Sequence, residues 1–276
     1  MGTLSAINST ALWTASLRAK ETTRDSGLIN DQFAHKFAVN ADILKHFEGL
    51  EKPSKSIIAR CHFIDNYLIE ALIHHENRQI VSIGAGFCCR PYRIKGGIWY
   101  EIDQKPLIEM KNTILSSDEC PNSLARIGID ATNTDLSDFL VSLNLHNPII
   151  VLEGLLNYLE DGEVDVLLNN IKKSTNNPII IGDVMSRHFY YRYAADFRRS
   201  LGSLGLDYKF LQNDPKRYFS NLGWKTQSQY SVLDLAITAG LFKIPKLVKL
   251  LFMQKLISGY QLYLLQPSEH FRGQIP

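Results

Sequence analysis

The run Gln79-Ile80-Val81-Ser82-Ile83-Gly84-Ala85-Gly86, with Ile98-Trp99-Tyr100-Glu101-Ile102-Asp103 after it, constrains the fold of this chain more than any other segment. A short apolar run feeds a Gly-x-Gly turn, and the next apolar run closes on two carboxylates. Asp103 follows Gly84 by 19 positions. A nucleotide site at the edge of a parallel sheet has this layout. The glycines let the first strand-to-helix turn bring backbone N–H groups close to a ligand, and the acid at the tip of the second strand accepts ribose hydroxyls. Cys89 stands where a dinucleotide fold places its third glycine. That departure disfavours NAD and favours a nucleoside without a pyrophosphate, such as S-adenosylmethionine (SAM).

A chain of 276 residues can bury an adequate core. It shows no internal repeat or low-complexity linker, so a single domain over 1–276 is expected. A charged fraction of 21% beside a hydrophobic fraction of 45% excludes a disordered chain. The formal net charge of +2 is too mild for a nucleic-acid partner, so a small-molecule substrate is expected instead. Cys61, Cys88, Cys89 and Cys120 are spaced like neither a disulfide framework nor a zinc site. No metal is expected, and the setting reads as reducing and cytoplasmic. No apolar run is long enough to span a bilayer. Across Ala239–Ser258 a Leu/Phe/Ile-rich helical pattern carries Lys243, Lys246, Lys249 and Lys255. It reads as a cover helix with its lysines in water, and contact with a membrane surface is the lesser alternative.

From residue 78 strand-like and helix-like pieces alternate, the pattern of an α/β sheet. Strands are expected at Gln79–Ile83, Ile98–Ile102, Leu124–Ile129, Pro148–Leu152 and Pro178–Gly182, the third closing on Asp130 and the fifth on Asp183. Asp161–Ser174 has the broad apolar face of a helix. Trp224–Tyr230 and Tyr260–Gln266 are expected to pair antiparallel at the sheet edge. Residues 1–77 read as an N-terminal helical cap and 185–222 as a helical insertion, the places where substrate specificity would reside.

Several separated segments keep a common order: Asn8–Phe37, Ile57–Leu72, the Gly-Ala-Gly-x-x-x-Arg-x-Tyr-Arg run at Gly84–Arg93, the acid-tipped second strand, and Glu153-Gly154-Leu155-Leu156-Asn157-Tyr158-Leu159. Together they resemble the leucine carboxyl methyltransferase-like branch of class I SAM-dependent methyltransferases, which includes many bacterial small-molecule O-methyltransferases of secondary metabolism. The resemblance implies a Rossmann-like fold: a mostly parallel seven-stranded sheet with an antiparallel edge strand, plus N-terminal and inserted helices. It implies SAM as cofactor. Arg60, in Ala59-Arg60-Cys61-His62-Phe63-Ile64-Asp65, would reach the SAM carboxylate, joined by Arg18 or Lys20. Gly84 and Gly86 would pack on the methionine part. Asp103 would hold the ribose, with Glu101 as the alternative acid. Asp130 and the backbone of Ala131 would sit by the adenine, and Glu153 near the methionyl amino group. The family often has Asp-Thr where this chain has Cys88-Cys89, and usually an apolar residue where Asn157 stands.

Each signal has a plainer reading. Asp103 could cap the helix start before Pro106, and Arg60 could pair with Asp65 at the surface. Phe189, Tyr193 and Phe197 fall at helical spacing and read as a core stripe. Tyr190 and Tyr191 point elsewhere, where one ring could face the sulfonium. Cys88 and Cys89 read as packing residues rather than redox groups. Methyl transfer is an in-line displacement that needs alignment and exclusion of water. A carboxylate acceptor is ionised and needs no base, which suits a chain with no Ser/His/Asp or metal constellation. Methyl transfer to a small-molecule carboxylate is therefore the leading expectation. A SAM cyclase giving azetidine-2-carboxylate and methylthioadenosine is the alternative, with Asn157, Tyr190 and Tyr191 as its catalytic groups. A SAM-binding protein without chemistry is the third reading.

Overall fold

The computed structural model describes residues 6–38, 44–245 and 253–268. The strands are β1 (Gln79–Ile83), β2 (Ile98–Asp103), β3 (Ser123–Gly128), β4 (Ile149–Leu152), β5 (Ile179–Met185), β6 (Trp224–Ser231) and β7 (Tyr260–Pro267). They form one sheet in the order β3-β2-β1-β4-β5-β7-β6. The first five run parallel, and β7 is antiparallel to both β5 and β6. The α/β, Rossmann-like fold expected from the sequence is therefore present. The antiparallel strand lies one position in from the edge, with β6 outside it.

Strand alternation divides the core. Ile80, Ile149, Val151 and Ile181 point to one face, where they meet Ile57, Ile64, Leu68 and Leu72 of α2 (Glu51–His74), while α1 (Ala6–Thr22) contributes Trp13 to the same cluster. Val81, Ile83, Ile150, Leu152 and Ile180 point to the other face, which is covered by α5 (Asp135–Ser142) and α6 (Asp161–Ser174). Helix α6 starts at a capping box in which the Glu160 N–H donates to Glu163 Oε2 at 2.7 Å. Two shorter helices sit between these, α3 (Arg90–Arg93) and α4 (Lys105–Ile114).

Residues 1–77 are more than a cap, since α2 forms one of the two layers that sandwich the sheet. The stretch after β5 holds α7 (Arg187–Tyr193), α8 (Ala195–Ser203) and α9 (Pro215–Asn221). The helix expected across Ala239–Ser258 is not continuous. Helix α10 (Val232–Thr238) stops where Gly240 takes φ +76°, and the Leu241 N–H closes the end on Ala236 O at 2.9 Å. Residues 241–245 are irregular as far as Pro245, and among the described residues after them Gln254–Ile257 forms α11. Residues 246–252, with Lys246 and Lys249, lie outside the described residues. No helix among the described residues is long and apolar enough to cross a membrane.

Leu68 is fully buried between α2 and the sheet. Leu68→Ala is expected to cost about 2–5 kcal/mol through lost burial and the cavity left behind, read as a lowered urea midpoint at unchanged slope.

Candidate functional site

The loop after β1 owes its shape to two glycines. Gly84 has φ +68°, and a Cβ there would lie 3.0 Å from Leu155 Cδ1; Gly86 has φ +48°, and a Cβ there would meet the Ala11 Cβ at 3.3 Å. Side chains at either position would be strained and crowded. The loop amides do not point free at a ligand, as the glycine pattern alone suggests. Gly84 and Ala85 donate to Ile102 O at 2.9 and 3.2 Å, and Gly86 donates to Asp103 Oδ2 at 2.7 Å. The loop is laced to the end of β2, and the missing side chains leave its outer surface open.

That surface forms part of a cavity of about 710 Å³ at the carboxyl ends of the parallel strands, lined by Arg18, Arg60, Asp103, Asp130, Ala131 and Glu153 among others. Most of the sequence-predicted residues thus converge. Lys20 is exposed and outside the lining, whereas Arg18 is buried and within it. Arg18 donates from Nε to Asp31 at 2.9 Å and from Nη2 to Phe87 O at 2.6 Å. Asp103 also accepts from the Gln104 N–H at 2.7 Å. Burial raises its pKa, and the two backbone donors partly oppose that. Asp130 sits at the mouth and accepts from the Thr132 N–H and hydroxyl at 2.9 and 2.7 Å.

An alternating series of buried charges underlies the site. Arg18 and Arg93 share Asp31 at 2.9 and 3.6 Å, and Arg93 and Arg90 share Asp65, each at 2.7 Å. Arg90 and Arg60 share Glu153 at 2.6 and 3.1 Å, and Arg60 continues to Asp183 at 3.0 Å. Four cations and four anions alternate, so the series is neutral. Tyr260 closes it, accepting from Arg60 at 2.6 Å and donating to Asp183 at 2.8 Å. Burial alone would raise the pKa of Glu153, but Arg90 and Arg60 overcome that and hold it well below the usual carboxylate range.

This series revises three expectations. Arg60 pairs with Glu153 and Asp183 rather than with Asp65 at the surface. Glu153 lines the cavity but is already compensated by two guanidiniums, so it needs no ligand ammonium to offset its burial. Asp183 does not end its strand, because β5 continues to Met185 and strand alternation turns Asp183 toward α2.

Four further candidates fall outside the cavity lining. Glu101 is fully buried and held by Lys111 and Arg126, both at 2.8 Å, as an ion triad beneath β2. Asn157 is fully buried in a 3₁₀ turn (Leu156–Tyr158), where its Oδ1 accepts from the Met185 N–H at 3.0 Å and its Nδ2 donates to Asp183 O at 3.3 Å. It clasps the end of β5 and does not reach the reacting end of the site. Tyr190 is buried in the core, where its hydroxyl donates to Asp207. Tyr191 is 50% exposed on the outer surface. Of the residues read as a core stripe, Phe197 is buried in the core cluster and Phe189 packs against it, and Phe189, Tyr193 and Phe197 also line the cavity. Helix α7 carries apolar groups on both sides, and sequence spacing does not say which side meets the sheet.

Cys88 lines the cavity and Cys89 is packed in a core cluster with Leu12, Phe37 and Phe87. Burial pushes the Cys61 thiol up to about 12 and that of Cys89 further, so neither is a thiolate at neutral pH. Sequence reasoning gave no role to Arg90, Arg93, Asp31, Asp183, Tyr208 or Tyr260, and saw Asp65 only as a surface partner for Arg60. Arg90 and Arg93 stood inside the quoted glycine-loop motif, and Asp183 stood at the end of an apolar run.

The cavity lies at the carboxyl ends of the parallel strands, where open α/β sheets bind their ligands. The model of the leucine carboxyl methyltransferase family matches residues 11–172. The chain belongs to that family, and SAM is its cofactor. It is 27% identical to a candidate S-adenosyl-L-methionine-dependent methyltransferase of Mycobacterium bovis, over 86% of each chain. A similarly named Streptomyces avermitilis protein is 26% identical over 81% of this chain and 85% of its own. A solved DUF574-family protein from Streptomyces avermitilis superposes with a TM-score of 0.62 at 10% identity, covering 92% of this chain and 96% of that one. A candidate methyltransferase structure from Thermobifida fusca gives 0.58 at 14% identity, with 94% of each chain covered. Both share the fold.

Two outcomes separate the carboxylates. Asp103→Asn is expected to weaken SAM binding at least tenfold in calorimetric titration, whereas Glu101→Gln should leave affinity intact and lower stability. The depressed pKa of Glu153 makes its contribution to folding complete above pH 4.5, the ordinary value, and lost as pH falls from there toward the lower folded value. The stability gap between wild type and Glu153→Gln, about 3 kcal/mol at neutral pH, should therefore hold above pH 5 and shrink below 4.5 in urea unfolding.

Proposed function

We propose that the protein transfers the methyl group of SAM to a carboxylate oxygen of a small molecule. The carrying observation is that, among the described residues, the groups clustered around Arg60 are already held and offer no free base. Among the described residues no histidine lines the cavity. Glu153 and Asp183 are taken up by arginines. Burial raises Tyr208 and Tyr260 well above the ordinary phenol value, so both stay protonated. An acceptor that arrives ionised suits such a lining, because it has no proton to give up.

The residues present fit the cofactor. Arg18 Nη1 has no protein acceptor among the described residues and can meet a carboxylate, Asp103 can take ribose hydroxyls, and the Gly84–Gly86 floor carries only the Ala85 methyl. The bound cofactor supplies an activated methyl group on a sulfonium. An ionised acceptor oxygen would take that methyl group as the carbon–sulfur bond releases its electron pair to sulfur, so no residue of the lining would have to receive a proton. The chain has to align the two and keep water out. The cyclase reading loses its support, since Asn157 and Tyr190 are buried away from the cavity.

Incubation with SAM and a panel of small carboxylic acids should give S-adenosylhomocysteine and a methyl ester in equal amounts by mass spectrometry. SAM alone should give no methylthioadenosine above the spontaneous background. Methylthioadenosine with azetidine-2-carboxylate would overturn the proposal.

A further inference from the structure

Beside Glu153 and Arg60 the cavity lining includes an aromatic part, a chamber whose residues are not among those assigned to the cofactor. One wall of this chamber is a run of rings. Trp13 lies 5.9 Å from Phe197, Phe197 meets Tyr208 edge-on at 5.4 Å, and Tyr208 meets Tyr158 edge-on at 4.9 Å. All four line the cavity. They come from α1, α8, the turn after β4 and the loop after α8, so the wall is assembled from distant segments. Its outer end is braced, with Trp13 stacked on Phe47 at 4.5 Å and 4° between ring planes. Phe189, Tyr193, Phe242 and Met253 also line the cavity. The Phe189 ring is fixed by its neighbour Gly259, where a Cβ would fall 2.3 Å from Phe189 Cδ2.

The wall changes character along its length. Trp13 and Phe197 are apolar, whereas the other end carries the hydroxyls of Tyr158 and Tyr208, whose pKa values burial raises. Tyr208 also feels the charges of Asp183 and Arg60. An occupant therefore meets aromatic faces and edges at one end and protonated hydroxyls backed by a guanidinium at the other. A peptide backbone among these rings would leave its N–H and C=O groups unpaired. An aliphatic chain would gain burial alone, while a flat ring gains the aromatic pairing as well.

We propose that the methyl acceptor is an aromatic carboxylic acid, its ring seated on Trp13, Phe197 and Tyr208 and its carboxylate turned to the hydroxyls of Tyr158 and Tyr208 beside Arg60. This rests on the carboxylate reading above and adds the class of acceptor to it. Tyr208 has two parts in it: the ring holds the acceptor body, and the hydroxyl orients the attacking oxygen.

The chain supplies its own probe. Of its three tryptophans, Trp99 and Trp224 are fully buried, and Trp13 lines the chamber. With the protein saturated by S-adenosylhomocysteine, 2-naphthoate should quench tryptophan emission, and Trp13→Phe should abolish the quench while binding persists by calorimetry. Octanoate and a leucine-terminated tripeptide should displace naphthoate only at concentrations at least tenfold higher. Phe197→Ala should weaken naphthoate binding about tenfold with unchanged affinity for S-adenosylhomocysteine. Tyr208→Phe, which keeps the ring, should preserve binding and lower kcat for methyl naphthoate formation at least tenfold. Stronger binding and turnover of octanoate or the peptide would overturn the aromatic assignment and leave carboxyl methyl transfer standing. Naphthoate bound at Trp13 with no ester formed from any acid in the presence of SAM would overturn both.

Discussion

The structure depends on an alternation of buried charges, Arg18–Asp31–Arg93–Asp65–Arg90–Glu153–Arg60–Asp183. These groups come from α1, the loop after it, α2, α3, the end of β4 and β5, so every pair except Arg18–Asp31 ties two segments that are separated in sequence. Such pairs are weak evidence of net stabilisation, because desolvation offsets most of the attraction. Their effect here is geometric. An unpaired member is so costly that α1, α2 and the glycine loop can dock in only one way, and the cavity takes its shape from that docking.

The same alternation explains why the candidate site was legible in part. Elements set by local pattern were plain in the sequence: Gln79–Ile83 is a short, mostly apolar run before a glycine turn, and Asp161–Ser174 carries a broad apolar face. Arg18, Arg60, Asp103, Asp130 and Glu153 stand beside motifs of that kind, and all of them line the cavity. Glu101 and Asp103 shared one signal, since both lie on the same side of one strand. Depth separates them, the former beneath the sheet end with Lys111 and Arg126 and the latter at its tip. Depth depends on neighbouring strands and cannot be read from a single one.

Asn157, Tyr190 and the 239–258 segment failed for a related reason. The sequence showed a polar residue near a strand end, an aromatic off a helical stripe and a long amphipathic pattern. It did not show that β7 would pair with β5 and draw Asn157 onto the Met185 amide. Nor did it show that α7 would present one aromatic set to the core and another to the cavity. In the last case the local signal was present: Gly240 and Pro245 punctuate the helix, and apolar spacing outweighed them in the reading.

The lacing of the glycine loop bears on how ligands come and go. Its three amides are already committed to Ile102 and Asp103, so the loop is a finished surface before anything binds. A ligand arriving there pays no entropy for ordering that segment. A departing product leaves behind no orphaned N–H groups. Exchange of cofactor for product can then proceed as a swap on a rigid shelf, and any slow step in turnover would lie with the helices around the aromatic chamber.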